Sequence, residues 1–542
     1  MTEQEQQYVF YGGPLVNSVH CGCSSLGSLI LKRLKQNGQN VAFINAVTGE
    51  IVTFAQILEQ SLKVAYQLQK YHIGKGSIVA VISENRIELP VVSFGAFYRN
   101  ATVIPINPNY TAIEMNHALK LVQPQAMFVS EKAATTLFSL KPQHSYIELC
   151  VSLDNQPLGQ DWICFKKWLE QTNTATDSPG PVILQNDVTL MVMSSGTTGL
   201  PKAVQLTHHN VMTVIAYMRE DPRYTQLSVP IRLLGILPFY HVYGFMLTLN
   251  VCCNKYPMVV LPRFEPDLFL RSIQEYRVTM ANLVPPLVIF LAKHPSVDRY
   301  DLRSLQAILC GAAPLSKDVE EQVLKRLPQV QSIRTAYGMS ESSLGVISRV
   351  NDKAGSVGRV HKTSWVKVTH VASGKTIGPY ELGEICIKGP LVMKGYYRNT
   401  EATKMAIDSA GWLHSGDIGY FDDEGDFFIV DRTKDLIKYK GSQVAPAEVE
   451  DILLSHPAIK DAAVVGLPDD DCGELPAAFV VRQDGHQLSE NEVKRFIASK
   501  LSPQKHLRGG VFFLNEIPKT GSGKILRREL RDFVTKYSKA KL

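Results

Sequence analysis

Ser77-Ile-Val-Ala-Val-Ile82, then residues 89–99, then Ala101-Thr-Val-Ile-Pro105 decide the fold class. The first run reads as a buried strand, the middle stretch as a helix and the last as the next strand. A helix between two strands is a crossover that lays them parallel, so an α/β fold with a mainly parallel sheet is expected. Similar apolar runs recur at 188–193, 234–237, 258–261 and 307–309, with no fixed-period repeat and no low-complexity segment among them. The expected architecture is a large N-terminal α/β domain of layered sheets and helices over residues 1–433.

Residues 434–542 read as a second, small and mobile α+β domain. A helix is expected at 446–454, with Val449, Ile452 and Leu453 as its apolar positions and Pro446 in its first turn. Strands are expected at 462–466 and 477–481. Ser489 with Glu492 three residues on forms a capping-box pattern that opens another helix. A strand at 511–514 precedes a Gly-rich loop and a basic terminal helix. The boundary is placed near Asp431-Arg-Thr-Lys434, where the aromatic strand Phe427-Phe-Ile-Val430 gives way to a charged turn.

Composition narrows the class. A chain of 542 residues is longer than one compact core usually holds. Hydrophobic residues make up 45% and charged residues 20%, as in ordinary soluble globular proteins. The net charge of +6, from 57 basic and 51 acidic residues, is too small at this length to suggest a nucleic-acid binder. The opening Met-Thr-Glu-Gln-Glu-Gln-Gln lacks a basic and an apolar region, so no secretory signal is expected. The most apolar stretches, 245–253 and 283–292, are too short to cross a bilayer, so no transmembrane segment is expected. Nine cysteines without framework spacing suit a reducing compartment. Cys21-Gly-Cys23 and Cys252-Cys253 read as ordinary thiols rather than as a metal site or a cross-link.

The chemistry begins at Met193-Ser-Ser-Gly-Thr-Thr-Gly-Leu-Pro-Lys202, just after an expected strand. Glycines let backbone N–H groups approach an anion, hydroxyls donate further hydrogen bonds, and the lysine adds charge. The spacing is not that of a Walker A loop. On composition alone, a polyphosphate cradle and a flexible turn are equally good readings.

This segment resembles the phosphate loop of the acyl-adenylate-forming (ANL) superfamily. Tyr337-Gly-Met-Ser-Glu341, Gly383-Glu-Ile-Cys-Ile-Lys-Gly389, Gly411-Trp-Leu-His-Ser-Gly-Asp417, Asp431-Arg432, Ile437-Lys-Tyr-Lys-Gly441 and Pro518-Lys-Thr-Gly-Ser-Gly-Lys524 follow in the order of that family. The resemblance covers nearly the whole chain. It implies ATP or AMP contacts at Ser194, Ser195, Gly196, Thr197, Thr198, Gly199, Lys202, Ala312, Ala336, Tyr337, Ser340, Asp417, Arg432, Lys434 and Lys438. Physical readings accompany it. Asp417 offers two acceptors to a ribose, Tyr337 an aromatic face to adenine, and Glu341 a hard oxygen to Mg²⁺. Lys524, in its Gly-rich loop, is the expected catalytic residue: its ammonium can bridge a carboxylate and the α-phosphate. Pro238-Phe-Tyr-His241-Val-Tyr243 resembles the aromatic segment at the acid pocket, with His241 as gate or contact, joined by Tyr243, Gly311 and Leu344. Gly311-Ala-Ala-Pro314 resembles the turn beside substrate and adenine, and Val284-Pro-Pro-Leu287 fits either a pocket wall or core packing. CoA contacts are implied at Arg263, Lys440 and Gly441.

Within the superfamily the chain most resembles beetle luciferases and insect luciferase-like fatty acyl-CoA synthetases, through Lys438-Tyr-Lys-Gly441, Val444-Ala-Pro-Ala-Glu448 and Leu507-Arg-Gly-Gly510. Leu344 stands where luciferases generally carry a serine, and the apolar Val214-Ile-Ala216 where they carry an arginine. Ala203, Ala336 and Ser442 also depart from the usual family residues. The expectation is an acyl-CoA synthetase using ATP, Mg²⁺ and CoA on a medium- or long-chain fatty acid. The alternatives are a luciferase and a 4-coumarate-type aryl-CoA ligase. Ala540-Lys541-Leu542 resembles a relaxed Ser-Lys-Leu address, implying the peroxisome and its import receptor.

Overall fold

A computed structural model describes residues 8–16, 22–159, 161–172, 185–194, 201–221, 224, 227, 229–313, 315–349, 353, 355–432, 435–440, 442–469, 471–520 and 523–540. The strand Ile78–Ile82 shows why the larger part is layered. Its alternate residues enter two different cores: Val79 and Val81 face one, Ile78, Ala80 and Ile82 the other. It runs parallel to Thr102–Ile106 on one side and to Ala126–Val129 on the other. These strands belong to an eight-stranded sheet.

A nine-stranded sheet repeats the device. Phe43 of Val41–Asn45 and Met258 of Met258–Val260 face the central core, whereas Ile44 and Val259 face an outer one. Between the two sheets lie the helices Leu26–Asn37, Phe54–Lys70, Glu88–Tyr98, His208–Glu220 and Val242–Asn254. Residues 89–98 of Glu88–Tyr98 are all buried, as a helix packed on every side must be. Gly95 makes its contact with Phe54–Lys70 close: a Cβ there would lie 2.5 Å from Val64 Cγ1 and 2.8 Å from the Ser61 carbonyl. Ala112–Val122 and Glu131–Leu140 cover the outer face of one sheet. Pro266–Glu275, Pro285–Lys293 and Lys317–Arg326 cover that of the other. The layers are therefore helix, sheet, helix, sheet, helix, as the alternating pattern predicts.

A third sheet was not foreseen. Phe10–Tyr11, Trp365–Thr369, Gly383–Lys388, Leu413–Phe421 and Phe427–Arg432 form an antiparallel five-stranded sheet, of which the sequence pattern signals only the last strand. The strand Leu413–Phe421 carries His414, Ser415, Gly416 and Asp417 in succession, which hides its apolar alternation.

The small C-terminal part has cores of its own. The long hairpin Ile459–Asp469 with Gly473–Arg482 packs against Pro446–Ser455 and Glu490–Lys500 on one face and Arg527–Ala540 on the other. Ser489 and Glu492 make the expected reciprocal cap. The expected boundary at 433/434 lies outside the described residues. No helix among them is long and apolar enough to cross a membrane.

Candidate active site

The site gathers where parallel strands of the nine-stranded sheet end, the usual place for a ligand in an open α/β sheet. Gly311 and Ala312 follow the strand Ala307–Cys310. Ala312 has φ +73°, a left-handed conformation uncommon for a residue with a Cβ. A Cβ on Gly311 would come 3.1 Å from Tyr243 Cε1, so the turn is packed against the aromatic segment.

Asp417 is set by strand register. It lies directly across from Arg432 on the neighbouring strand, with Arg432 Nε 3.2 Å from Asp417 Oδ1. The Tyr337 hydroxyl donates to Asp417 Oδ2 at 2.7 Å. Asp417 is only 6% exposed. Burial pushes its carboxyl upward, while Arg432, the Tyr337 hydroxyl and Lys524 pull it down. A carboxylate has about four acceptor sites, so ribose hydroxyls can add to these partners. Tyr337, expected as an adenine platform, is thus also the group that orients Asp417, while its ring remains on the wall of a cavity.

Two cavities meet here. One of about 220 Å³ lies between the two parts of the chain, lined among others by Pro286, Ala312, Tyr337, Asp417, Arg432 and Arg527. The other, of about 460 Å³, is lined among others by Tyr217, Met218, His241, Tyr243, Glu341 and Leu344. Ala312, Ala336, Gly338, Arg432 and Lys524 border both. Lys524 is the one of these that carries a flexible ammonium from the small part. Its loop is held by Thr520 N–H donating to Lys524 O at 2.8 Å and Lys524 N–H donating to Thr520 Oγ1 at 3.1 Å. Gly523, with φ +83°, brings backbone against Val284 and Pro286, where a Cβ would sit 3.2 Å and 3.5 Å away. The 284–287 segment is therefore a wall on which this loop rests. Lys293 ties the two parts again, donating to the carbonyls of Leu454 at 2.8 Å and Ile459 at 3.2 Å.

On the polyphosphate side, Lys202 lies directly across a hairpin from Ser194. Its ammonium stands 4.9 Å from the centre of the Tyr396 ring, whose hydroxyl donates to Glu341 Oε1 at 2.9 Å. Burial and then Glu341 push the Tyr396 hydroxyl far above its ordinary range, so it stays a donor. Tyr396 was missed because its partner is 55 residues away in sequence. Ser194, Lys202, Ser340 and Glu341 all line the larger cavity. Glu341, a carboxylate at a cavity wall, fits one protein ligand of Mg²⁺, which otherwise takes water and phosphate oxygens. Ser195, Gly196, Thr197, Thr198, Gly199, Pro314, Lys434, Gly441, Lys541 and Leu542, together with Cys21, lie outside the described residues.

His241 caps the start of the helix Val242–Asn254. Burial pushes its imidazole down to about 4, so it is neutral at pH 7 and acts as a wall or a hydrogen-bonding group, not as a cation. Asn282, also missed, accepts from the Tyr243 hydroxyl at 3.2 Å, and its Nδ2 is buried without a partner among the described residues.

Other expectations fall elsewhere. Val214, Ile215 and Ala216 do not line the acid cavity; Val214 and Ile215 pack into the central core, Ala216 is buried, and the same helix presents Tyr217 and Met218 to the cavity instead. Lys438 alternates with buried Ile437 and Tyr439, is exposed, and lines neither cavity. Lys440 and Arg263 are likewise exposed and line neither cavity. The structure thus brings Lys524 to the wall of both cavities, whereas Lys438, Lys440 and Arg263 line neither.

Residues 31–397 match the family model described as AMP-binding enzyme, and residues 448–524 match AMP-binding enzyme C-terminal domain. The chain belongs to the AMP-binding enzyme family. It is an enzyme of the ATP-dependent, adenylate-forming ligase kind, as the ordered motifs imply. Within this family it is 38% identical over 520 residues to "Luciferin 4-monooxygenase" of Photinus pyralis, covering 94% of each chain. It is 39% identical over 520 residues to "Probable 4-coumarate--CoA ligase 1" of Dictyostelium discoideum, covering 93% of this chain and 94% of that one. The fold matches ATP-bound MatB from Rhodopseudomonas palustris with a TM-score of 0.83, at 24% identity, over 94% of this chain and 98% of that one.

Proposed function

We propose that this enzyme activates an apolar carboxylic acid as acyl-AMP and then transfers the acyl group to CoA. The observation that carries the reading is the position of Lys524 on the wall of both cavities, with Tyr337 and Asp417 at one and the apolar walls of Tyr217, Met218 and Leu344 at the other. In the first step a carboxylate oxygen bonds to the α-phosphorus and pyrophosphate leaves. The Lys524 ammonium offsets charge as it spreads over the phosphoryl oxygens. Asp417 and Arg432 hold the ribose, and Lys202 and the 194–199 loop hold the departing phosphates. Glu341 would hold Mg²⁺, which would supply further positive charge at those phosphates. In the second step the CoA sulfur, having lost its proton, bonds to the acyl carbon, and the carbon–oxygen bond to AMP breaks. The exposed Arg263 and Lys440 are candidates to meet CoA after the small part turns and withdraws Lys524.

Leu344, Met218 and Tyr217 support a fatty or aryl acid, since apolar walls suit such a chain. A chamber of about 460 Å³ is within the range of small-molecule sites. A second reading, oxygenation of a luciferyl-AMP, draws on relatives as similar as the CoA ligases. A pyrophosphate-release screen over acids of varied length and aromaticity, run with and without CoA and monitored for light, decides between them. Acid-dependent pyrophosphate with thioester product supports the proposal; bright emission without thioester favours the second reading, and no acid-dependent pyrophosphate sinks both.

We further propose that Ala540-Lys541-Leu542 directs the enzyme to peroxisomes through their import receptor. Deleting the three residues should leave it in the cytosol; import that persists would show the address lies elsewhere.

A further inference from the structure

Glu384 and Cys386 stand two residues apart on the strand Gly383–Lys388, so both leave the same face. Cys386 pairs directly with His414 on the strand Leu413–Phe421, and a register shift between Glu384 and Cys386 brings the carboxylate back toward the same imidazole. His414 Nδ1 lies 2.8 Å from Glu384 Oε2 and 3.6 Å from Cys386 Sγ. One donor atom from each of the three residues lies within 4.8 Å of the others, the only such group among the described residues.

We propose that Glu384, Cys386 and His414 form a binding site for a thiophilic divalent cation of the Zn²⁺ class, separate from the Mg²⁺ position at Glu341. A sulfur, a nitrogen and an oxygen are the donors Zn²⁺ takes and Mg²⁺ avoids. The surroundings already hold each donor in place. His414 Nε2 lies 3.6 Å from Asp408 Oδ2, so a cation on Nδ1 leaves the other ring nitrogen facing a carboxylate. Glu384 Oε1 accepts the Gly416 N–H at 2.9 Å, and Cys386 Sγ lies 3.4 Å from Thr369 Oγ1. All three ligands stand on paired strands, which fix spacing better than a loop does.

Charge and access also fit. A carboxylate and a thiolate balance the two charges of the cation, so it needs no further counter-ion in a half-buried place. Binding releases the thiol proton, and the proton shared by His414 and Glu384, to solvent. Cys386 is buried behind the other two, whereas Glu384 and His414 border the acid cavity. The fourth coordination position therefore opens to that cavity and takes water or a polar group of a bound molecule. An occupied site clamps the strand segment 414–416 immediately before Asp417.

The test uses the full-length reduced enzyme, stripped with a chelator and titrated with Co²⁺. A sulfur-to-cobalt charge-transfer band should rise and saturate at one Co²⁺ per chain, fall on adding Zn²⁺, and resist a large excess of Mg²⁺. Cys386→Ser should lose the band and Asp408→Asn, which spares every ligand, should weaken binding about tenfold. Zn²⁺ should raise the melting temperature of the unmodified enzyme but not of Cys386→Ser. If Cys386→Ser does not fold, His414→Gln replaces it, and Co²⁺ affinity unchanged in that variant overturns the proposal. A band of equal strength in Cys386→Ser, or no band in the unmodified enzyme, overturns it as well.

Discussion

On the nucleotide side of Lys524, Tyr337, Asp417 and Arg432 are already bonded to one another before any ligand arrives. The larger cavity is mixed: Ser194, Lys202, Glu341 and Tyr396 line it, while Leu344, Met218 and Tyr217 form apolar walls, His241 is neutral, and Asn282 keeps a buried donor without a partner among the described residues. The first region is preorganised for one unchanging molecule, and such a polar set gains from being fully satisfied in advance. The apolar walls of the second are shaped rather than bonded, so selection among acids there rests on fit. Chemistry and specificity are thus held by different kinds of interaction, with Lys524 common to both.

The largest expected effect comes from the shared residue. Lys524→Ala should slow acyl-AMP formation about 10²–10³-fold, the usual loss when one preorganised charge donor is removed. Given presynthesised acyl-AMP, the same variant should still form acyl-CoA near its normal rate. Two rates decide it, pyrophosphate release from acid plus ATP and thioester formation from acyl-AMP plus CoA. Equal losses in both would mean that Lys524 serves the two steps alike, and the division of labour proposed here would be wrong. Asp417→Ala should come next. It removes a charged acceptor worth about 1.5–3 kcal/mol, or roughly 10- to 100-fold in kcat/KM for ATP. The acid KM should change far less; a matching rise there would erase the contrast between the two sides.

The nucleotide side was legible in the sequence because its residues sit in short motifs whose types announce their chemistry. The fold class was legible as well, since the apolar run at Ile78–Ile82 is a local property. What was not legible depends on distant partners. Tyr396 matters because Glu341 accepts its hydroxyl, and Asn282 because Tyr243 reaches it across 39 residues. The helix His208–Glu220 is buried on most of its circumference, so apolarity at Val214-Ile-Ala216 said nothing about which residues face the cavity. Lys438 looked like a nucleotide contact from its motif, but strand alternation turns it outward.

A smaller effect is expected on the acid side. Leu344→Ser removes apolar contact worth at most roughly 1.5–3 kcal/mol when fully buried, and Leu344 is only partly so. A loss of about tenfold or less in kcat/KM for the best fatty or aryl acid should appear, with kcat/KM for ATP at saturating acid unchanged. A loss in the ATP term instead would show that the two sides are coupled through this wall.

The smallest effect concerns pH and one group at the cavity between the two parts of the chain. Asp451 borders the cavity between the two parts of the chain. Partial burial and then the neighbouring Glu450, Asp318 and Glu448 carboxylates push it from 3.8 up to about 7. The folded chain then holds a proton that the unfolded chain releases above about pH 4. Where the folded state binds more protons, stability falls as pH rises, here across the window from about 4 to 7, and is flat above it. Asp431, raised by burial to about 6, adds to the same fall. Asp451→Asn removes the first contribution because its amide does not ionise. Relative to the unmodified enzyme, the variant should gain stability between pH 5 and pH 8, on the order of 1 kcal/mol once solvent screening at a partly exposed site is allowed for. Urea midpoints of both proteins at the two pH values measure this, and other titrating groups cancel in the comparison. Parallel pH dependences for the two proteins would show that Asp451 ionises normally.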